Sequence, residues 1–185
     1  ISYKKLYSPL NYLLNLTEEQ GQKQITTTLY DKAGNSAQST TTTYLDSQGP
    51  EISHNYPNDN TWVKTPQIAT ISASDINGIK EVRYCTVTSC DPLEYGTILE
   101  SPYTLTFNEE QAKTITYTAI DTFDNPAEPK SFKVLFDKTS PELTIYSNPN
   151  TNTADTTLFG NVFDLNLDRI EISGSLTPVT YYPAN

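Results

Sequence analysis

Apolar and polar residues alternate along several stretches of the chain, and this alternation predicts β-strands. Ala69, Ile71 and Ala73 fall on one side of such a stretch, with Thr and Ser residues between them, as expected for a strand with one buried face. Further strands are predicted around Ile52, Val82–Tyr84, Leu93, Tyr103–Phe107, Ile115–Ala119 and Phe132–Phe136. About seven strands separated by turn residues indicate an all-β fold of the sandwich type.

The order of these elements recurs along the chain with a period of about 90 residues. The strand and turn ending in Asp31–Asn35 match those ending in Asp121–Asn125, and Asp46–Ile52 matches Asp137–Leu143. Asp75-Ile76-Asn77 likewise resembles Asp164-Leu165-Asn166. This period is far longer than a solenoid repeat and close to the length of one immunoglobulin-type sandwich, so each repeat is predicted to be a domain.

The repeat divides the chain into three parts. Residues 1–45 are predicted to be the C-terminal part of one module, 46–136 a complete module, and 137–185 the N-terminal part of a further module. The junctions are the Asp-x-x-x-Pro segments at 46–50 and 137–141. Proline fixes its own φ and favours an extended residue before it, so we expect short, stiff junctions.

Several sequence motifs resemble a known family. They are Trp62 before a Thr- and Ser-rich strand, Ser72–Asp75, Ile79–Tyr84, Ala119–Asn125, Asp31–Asn35 and Phe159–Asp164. Together they are similar to the bacterial immunoglobulin-like domains of large surface proteins, and the resemblance covers essentially the whole chain. It implies tandem immunoglobulin-like sandwich modules. The second copy departs from the usual pattern because Asp124 stands where glycine is common.

Charge and hydropathy exclude two classes of partner. With 22 acidic and 12 basic residues the net charge is −10, and no cluster of Lys and Arg is present to neutralise a nucleic-acid backbone. No apolar run approaches the roughly 20 residues that span a bilayer. We therefore expect no nucleic-acid partner and no membrane-spanning segment in this stretch.

The two cysteines, Cys85 and Cys90, are predicted to form a disulfide across a local hairpin, because a secreted domain would oxidise two thiols so close together. The alternative is a pair of free thiols in a cytoplasmic protein. Zinc is excluded because His54 is the only further soft ligand in the chain.

Strand ends and junctions carry oxygen-bearing side chains that could converge on Ca²⁺. The candidate ligands are Asp46, Asp75, Asp121, Asp124, Asn125 and Asp137. The simpler and favoured interpretation is that these Asp and Asn residues form turns by accepting hydrogen bonds from local amides. Calcium is the only cofactor that the sequence brings into consideration.

Catalytic chemistry is not indicated by the sequence. His54 has no recognisable nucleophile and acid beside it and is expected to be an exposed loop residue. Glu109 and Glu110 are adjacent, so on a strand they would point to opposite faces and would not form an acid/base pair. Tyr84, Tyr103 and Tyr117 are expected in the core, although exposed Tyr residues and Trp62 would suit a sugar-binding platform.

The sequence thus favours a non-enzymatic segment of a bacterial cell-surface or secreted protein, acting as a stalk or as an adhesive module. Its partners would be neighbouring modules and a protein or glycan ligand on a surface, and its location extracellular or at the cell surface. The alternative is a polymer-binding accessory module of a secreted carbohydrate-active or proteolytic enzyme. A decoration module of a phage virion is a third interpretation.

Overall fold

A computed structural model describes residues 11–16, 20–147, 157–174 and 177–183. Within them the chain is built almost entirely of β-strands, as the alternation predicts. The strands are β1 Gly21–Tyr30, β2 Ser36–Leu45, β3 Glu51–His54, β4 Trp62–Val63, β5 Gln67–Ser74, β6 Ile79–Cys85, β7 Thr97–Leu99, β8 Thr104–Phe107, β9 Gln111–Asp121, β10 Lys130–Phe136, β11 Glu142–Ser147, β12 Leu158–Phe163, β13 Ile170–Ile172 and β14 Val179–Tyr181, with one helix, α1, at Pro92–Tyr95.

Strands β3 to β10 form two sheets. One has the order β3–β5–β8, and the other has the order β4–β10–β9–β6–β7, in which β4 runs parallel to β10 and the other pairs are antiparallel. The stretch therefore holds eight strands rather than about seven, because Trp62–Val63 makes a short additional strand along β10.

Both sheets contribute side chains to a single hydrophobic core. The residues predicted from the alternation are buried in it, including Ala69, Ile71, Ile115 and Tyr117, each no more than 1% exposed. Phe132 from β10 contacts the rings of several aromatic neighbours and is 2% exposed. The core is therefore closed by residues from both sheets rather than by one sheet alone.

Alternation with Tyr117 and Ala119 would place Thr118 on the solvent-facing side of β9, but the structure buries it. Its side chain is fully buried, and its hydroxyl donates a hydrogen bond of 2.7 Å to the carbonyl of Ala127. The segment after β9 folds back over this face, where Ala127 N bonds to the carbonyl of Ala119. The buried hydroxyl is satisfied by this bond, as a buried polar group requires.

The prediction of a strand around Leu93 is wrong, since this residue lies in helix α1. Asp91 caps the helix, because its carboxylate accepts a 2.8 Å hydrogen bond from Leu93 N, and Pro92 occupies the first turn. An acidic cap followed by proline is a helix-start signal. The strand expected here lies slightly later, at Thr97–Leu99, and pairs with β6.

Cys85 and Cys90 are paired, with sulfur atoms 2.01 Å apart, in agreement with the predicted pairing. Cys85 is the last residue of β6, whereas Cys90 lies in the turn before α1. The bond thus joins a strand to a loop and does not cross a two-stranded hairpin. It anchors the loop that leads into α1.

The remaining described strands form three separate antiparallel pairs, β1–β2, β11–β12 and β13–β14. Their side chains are mostly exposed or half-buried. Large apolar residues remain exposed on them, among them Leu29, Leu143, Ile145, Phe159 and Tyr181. The predicted division at residues 45/46 and 136/137 stays a prediction, but every residue of the shared core lies between 52 and 136.

Candidate metal centre

Three aspartates meet at one end of the two-sheet unit. Asp75 follows β5 directly and Asp121 ends β9, and the pairing of β6 with β9 brings these strand ends to the same edge. Asp46 follows β2 and precedes β3, so it belongs to the first predicted junction. One carboxylate oxygen from each aspartate lies within 4.8 Å of those of the other two.

Asp121 is the buried member of the cluster, with no exposed surface. One of its oxygens accepts hydrogen bonds of 2.8 Å from Phe123 N and Asn125 N, and the other accepts one of 2.9 Å from the Asn125 side chain. Burial raises the pKa of Asp121, but the hydrogen bonds from the side chain and backbone of Asn125 and from the backbone of Phe123 outweigh it, so that the pKa lies below its ordinary 3.8. The carboxylate is held in its ionised form.

Asn77 connects the other two carboxylates. Its backbone N–H donates a 2.7 Å hydrogen bond to Asp75, and its side-chain amide donates to Asp46. A second donor to Asp46 is Gln48 N, at 3.2 Å. These amides fix the direction of each carboxylate but carry no full positive charge.

The cluster concentrates negative charge. The ion pairs seen in the described part of the chain are Lys80–Asp124, Arg83–Glu81, and Arg169 with Asp168 and Glu171. None of these pairs involves a member of the cluster. Carboxylates held this close favour either a shared proton or a bound cation.

The donor set suits a hard divalent cation. Ca²⁺ binds oxygen ligands at about 2.3 to 2.6 Å, so two of its ligands can be up to about 5 Å apart. Separations within 4.8 Å are therefore compatible with ligation by all three aspartates. All of the ligand atoms are oxygens, which excludes a site for a soft, thiolate-preferring metal.

The other three predicted ligands lie outside this cluster. Asp124 pairs with Lys80 on the surface. Asn125 uses its amide to hold Asp121, so it acts as a positioning residue. Asp137 lies at the second predicted junction. The structure thus brings together Asp46, Asp75 and Asp121 from the predicted set of six.

The second junction repeats the arrangement around Asn77. Asn166 N donates a 2.7 Å hydrogen bond to Asp164, and the Asn166 side chain donates one of 2.6 Å to Asp137. Thr139 N also donates to Asp137, at 3.0 Å. Sequence reasoning matched the Asp-x-Asn segments to each other. It missed that the Asn side chains of these segments donate hydrogen bonds to the junction aspartates. The recurrence of Asn at the same place in both segments was the signal.

His54 corrects one expectation from the sequence. It is the last residue of β3 and half-buried, not an exposed loop residue. Its ring stacks on Phe132 with centroids 4.6 Å apart, and its Nδ1 accepts a 3.3 Å hydrogen bond from Tyr56 N. These contacts give His54 a packing role at the edge of the core.

Glu110 is exposed, and its side chain connects β9 to the second junction. Its carboxylate accepts hydrogen bonds from Lys138 N at 2.9 Å and from the Thr139 hydroxyl at 2.7 Å. The bond from Thr139, followed by that from Lys138, holds the pKa of Glu110 below its ordinary 4.5. Glu110 therefore ties the start of β9 to the second junction.

The aromatic residues divide between core and surface. Tyr117 is fully buried, and Tyr84 and Tyr103 pack against the core while partly exposed, in line with the expectation. Trp62 is 47% exposed and borders a crevice of about 340 Å³ that is also lined by Phe136, Phe163 and Leu165. An exposed Trp beside a crevice is a candidate contact for a ligand.

Comparisons with known proteins identify no relative: no protein-family model, curated protein or solved structure matches the chain. In addition, no helix among the described residues is long and apolar enough to cross a membrane. The functional argument therefore depends on the geometry of the chain itself.

Proposed function

We propose that the chain is a structural or adhesive segment of a bacterial cell-surface or secreted protein, in which immunoglobulin-like sandwich modules follow one another and extend a stalk or present a binding face. The observation that carries the proposal is the matching construction of the two junctions. At each junction, the residue just before a strand of one module forms hydrogen bonds with the linker that follows the same module.

At the first junction, the Gln20 side chain donates to the Ser47 hydroxyl at 2.6 Å and accepts from Ser47 N at 2.8 Å. At the second, the Glu110 side chain accepts from Lys138 N and from the Thr139 hydroxyl. Gln20 precedes β1 as Glu110 precedes β9. Two side-chain hydrogen bonds at each linker restrict its rotation, as a stiff stalk needs.

The sheet order supports an immunoglobulin-like module. In chain order, β3, β5 and β8 correspond to strands A, B and E of that fold, and β6, β9 and β10 correspond to strands C, F and G. The two sheets share one core, as in a sandwich. The Cys85–Cys90 bond supports an oxidising location outside the cell or at its surface.

The aspartate cluster adds a cation to the proposal. Asp46 belongs to the linker, whereas Asp75 and Asp121 belong to the two-sheet unit. A Ca²⁺ ion held by all three would therefore fix the linker to the unit and stiffen the junction.

Calcium binding is tested by thermal unfolding. Added Ca²⁺ should raise the melting temperature and EDTA should lower it. With the ion at ten times its dissociation constant, binding should add about 1.4 kcal/mol to the free energy of unfolding. Asp46→Asn should remove the effect, while Asp124→Asn, outside the cluster, should keep it. If millimolar Ca²⁺ changes nothing, the three aspartates serve only as turn formers.

The stalk is tested by small-angle X-ray scattering on dilute protein. An elongated particle that becomes stiffer with Ca²⁺ is expected, because the junctions hold successive units end to end. A compact particle with a large interface between units would contradict the stalk and leave only the adhesive role. The proposal includes no catalytic activity, so hydrolysis of a glycan or peptide by the folded chain would also count against it.

A polymer-binding accessory role is the second candidate, and the exposed Trp62 beside the crevice favours it. Polysaccharide pull-down with the native chain, Trp62→Ala and Tyr95→Ala, an exposed aromatic that does not line the crevice, tests the accessory role. Loss of polymer binding in the first variant alone would support the accessory role. Absence of binding to any polymer in the native chain would exclude it.

A further inference from the structure

Asn77 combines a structural role at the first junction with a reactive sequence context. Its side-chain amide donates a hydrogen bond to Asp46 in the linker, and it precedes Gly78 in the one Asn-Gly pair of the sequence. Asparagine is most prone to deamidation before glycine, because glycine has no Cβ to hinder the attack of its backbone nitrogen on the asparagine side chain. The residue that ties the linker to the two-sheet unit is therefore also chemically labile.

The backbone of Asn77 is held by the two-sheet unit, whereas its side chain is bound to the linker. Thr122 donates its hydroxyl to the Asn77 carbonyl at 2.9 Å and its N–H to the Gly78 carbonyl at 3.3 Å. Gly78 N donates to the Asp75 carbonyl at 3.2 Å and closes the turn before β6. Among these bonds and the one to Asp46, only the last leaves the unit. Movement of the linker away from the unit would thus release the side chain and leave the backbone in place.

We infer that Asn77 is a deamidation site whose reactivity is controlled by the linker. In the reaction, the Gly78 nitrogen loses its proton and bonds to Cγ of Asn77, the bond from Cγ to Nδ2 breaks, and ammonia leaves. Water then opens the resulting succinimide at either carbonyl and gives aspartate or isoaspartate at position 77. The side chain has to turn for this attack and Nδ2 has to depart, so the hydrogen bond to Asp46 has to break first.

The second junction has the same hydrogen bond without the reactive pair. Asn166 donates its side-chain amide to Asp137 at 2.6 Å, but the residue that follows it is Leu167. The leucine side chain hinders attack by its own backbone nitrogen. Gly78 serves its turn as well, since its φ is 93°, but the bond from Asn to the junction aspartate forms without glycine. Asn166 is therefore an internal control for Asn77.

Deamidation would turn an attractive contact at the first junction into a repulsive one. The native amide donates to the Asp46 carboxylate. An aspartate at position 77 has no proton to donate at neutral pH, and it would add a fourth carboxylate to those of Asp46, Asp75 and Asp121. Like charges this close repel each other. Without a bound cation the first junction should therefore weaken as the protein ages, while the second should not.

Peptide mapping by mass spectrometry tests the site and its control by the linker. The full chain is incubated in EDTA at mildly alkaline pH, and Asn77 should convert much faster than Asn166 in the same sample. Asp46→Ala should accelerate conversion at Asn77 by about tenfold, the factor expected when a hydrogen bond to a charged group no longer holds the side chain. Asp46→Asn is the matched control, because its side-chain oxygen can still accept from Asn77, and its rate should stay close to that of the native chain.

The outcomes of peptide mapping separate the site from its control. Equal conversion at Asn77 and Asn166 in every variant would show that Asn77 is not a deamidation site. A rate at Asn77 that is the same in Asp46→Ala and in the native chain would show that the linker does not control it. Either result would overturn the inference.

Thermal unfolding in EDTA tests the consequence for the junction. Asn77→Asp reproduces the aspartate product, whereas Asn77→Ala loses the same hydrogen bond without adding a charge. Both melting temperatures should lie below that of the native chain, and that of Asn77→Asp should be the lower. High salt should narrow the difference between the two variants, because it screens the repulsion. A melting temperature of Asn77→Asp equal to that of the native chain would contradict the predicted weakening.

The inference goes beyond the proposed stalk and can fail separately from it. Faster conversion at Asn77 in Asp46→Ala would stand even if scattering showed a compact particle. An Asn77 that stays unmodified in every variant would remove the deamidation site and leave the stalk and the calcium site in place.

Discussion

Residues 46–136 and the strand pairs that flank them contain similar strands but differ in what those strands bury. Ile52 on β3 and Phe132 on β10 are each 2% exposed, while Leu143 on β11 and Phe159 on β12 are about 60% exposed. Backbone pairing is present in both regions. Strand pairing therefore does not create a core in this chain, and burial requires that two sheets face each other.

The two aspartate-centred loops extend this comparison. Asp31 and Asp121 accept the same three hydrogen bonds, two from backbone amides and one from the side chain of an Asn four residues later. Asp31 is exposed, but Asp121 is fully buried and next to two further aspartates. An identical local motif thus makes a simple turn in one place and part of a candidate metal centre in the other.

The largest effect is expected from the core of residues 46–136. Phe132→Ala removes a ring that contacts His54, Tyr56, Phe107 and Tyr117 and should lower the free energy of unfolding by about 3 to 5 kcal/mol. Phe159→Ala, in the exposed β12, should change it by less than about 1 kcal/mol. Urea unfolding followed by tyrosine fluorescence measures both, and equal losses would contradict the difference in burial.

The aspartate loops should give the next largest effect. Asp121→Ala leaves Phe123 N, Asn125 N and the Asn125 amide without their acceptor at a buried position, and should cost about 2 kcal/mol. Asp31→Ala removes the equivalent bonds where water can replace them, so its effect on global unfolding should be much smaller. Chemical denaturation of both variants in EDTA measures the difference without a contribution from metal. A cost for Asp31→Ala as large as that for Asp121→Ala would show that burial does not separate the two loops.

Acid unfolding sharpens the same comparison. The folded-state pKa of Asp121 lies below 3.8, so its contribution to stability is complete above that pH and is lost as the pH falls through the folded value. Denaturation midpoints measured in EDTA should therefore depend less on pH in Asp121→Asn than in the native chain, below about pH 3.8. Asp31→Asn is the control, since the pKa of Asp31 is lowered chiefly by its bond from Asn35 in an exposed loop that need not unfold with the core. A profile unchanged by Asp121→Asn would contradict this assignment.

The sequence predicted the fold better than the site because periodicity reports which face of a strand is buried. The alternation at Ala69–Ala73 and Ile115–Ala119 predicted the strands and their buried faces. Thr118 escaped this reasoning because a later segment covers the outer face of β9. The partial burial of His54 was not predicted because its short strand has only one other inward-facing residue, Ile52, which is too few to show an alternation.

The site could be predicted only in part. Asp46, Asp75 and Asp121 were among the candidates because each ends a strand or begins a junction, but three other residues met the same criterion. The spacing along the chain does not show which strand ends share an edge. That depends on the pairing of β6 with β9, which is a long-range contact.

The smallest expected effect concerns one backbone position in the two loops. Gly34 has a φ of 88° and Asp124, its counterpart, a φ of 68°, so both loops adopt a left-handed residue there although only one uses glycine. Asp124→Gly should relieve about 1 kcal/mol of backbone strain. The opposing effect is the loss of an exposed ion pair with Lys80, which contributes little to stability. The net result should be a small gain in stability, and Gly34→Asp should give a small loss. Asp124→Asn is the control that removes the charge but tolerates the left-handed conformation, and its stability should lie close to that of the native chain. If Asp124→Gly destabilises the protein as much as a core truncation does, the Lys80 pair rather than the backbone governs this loop.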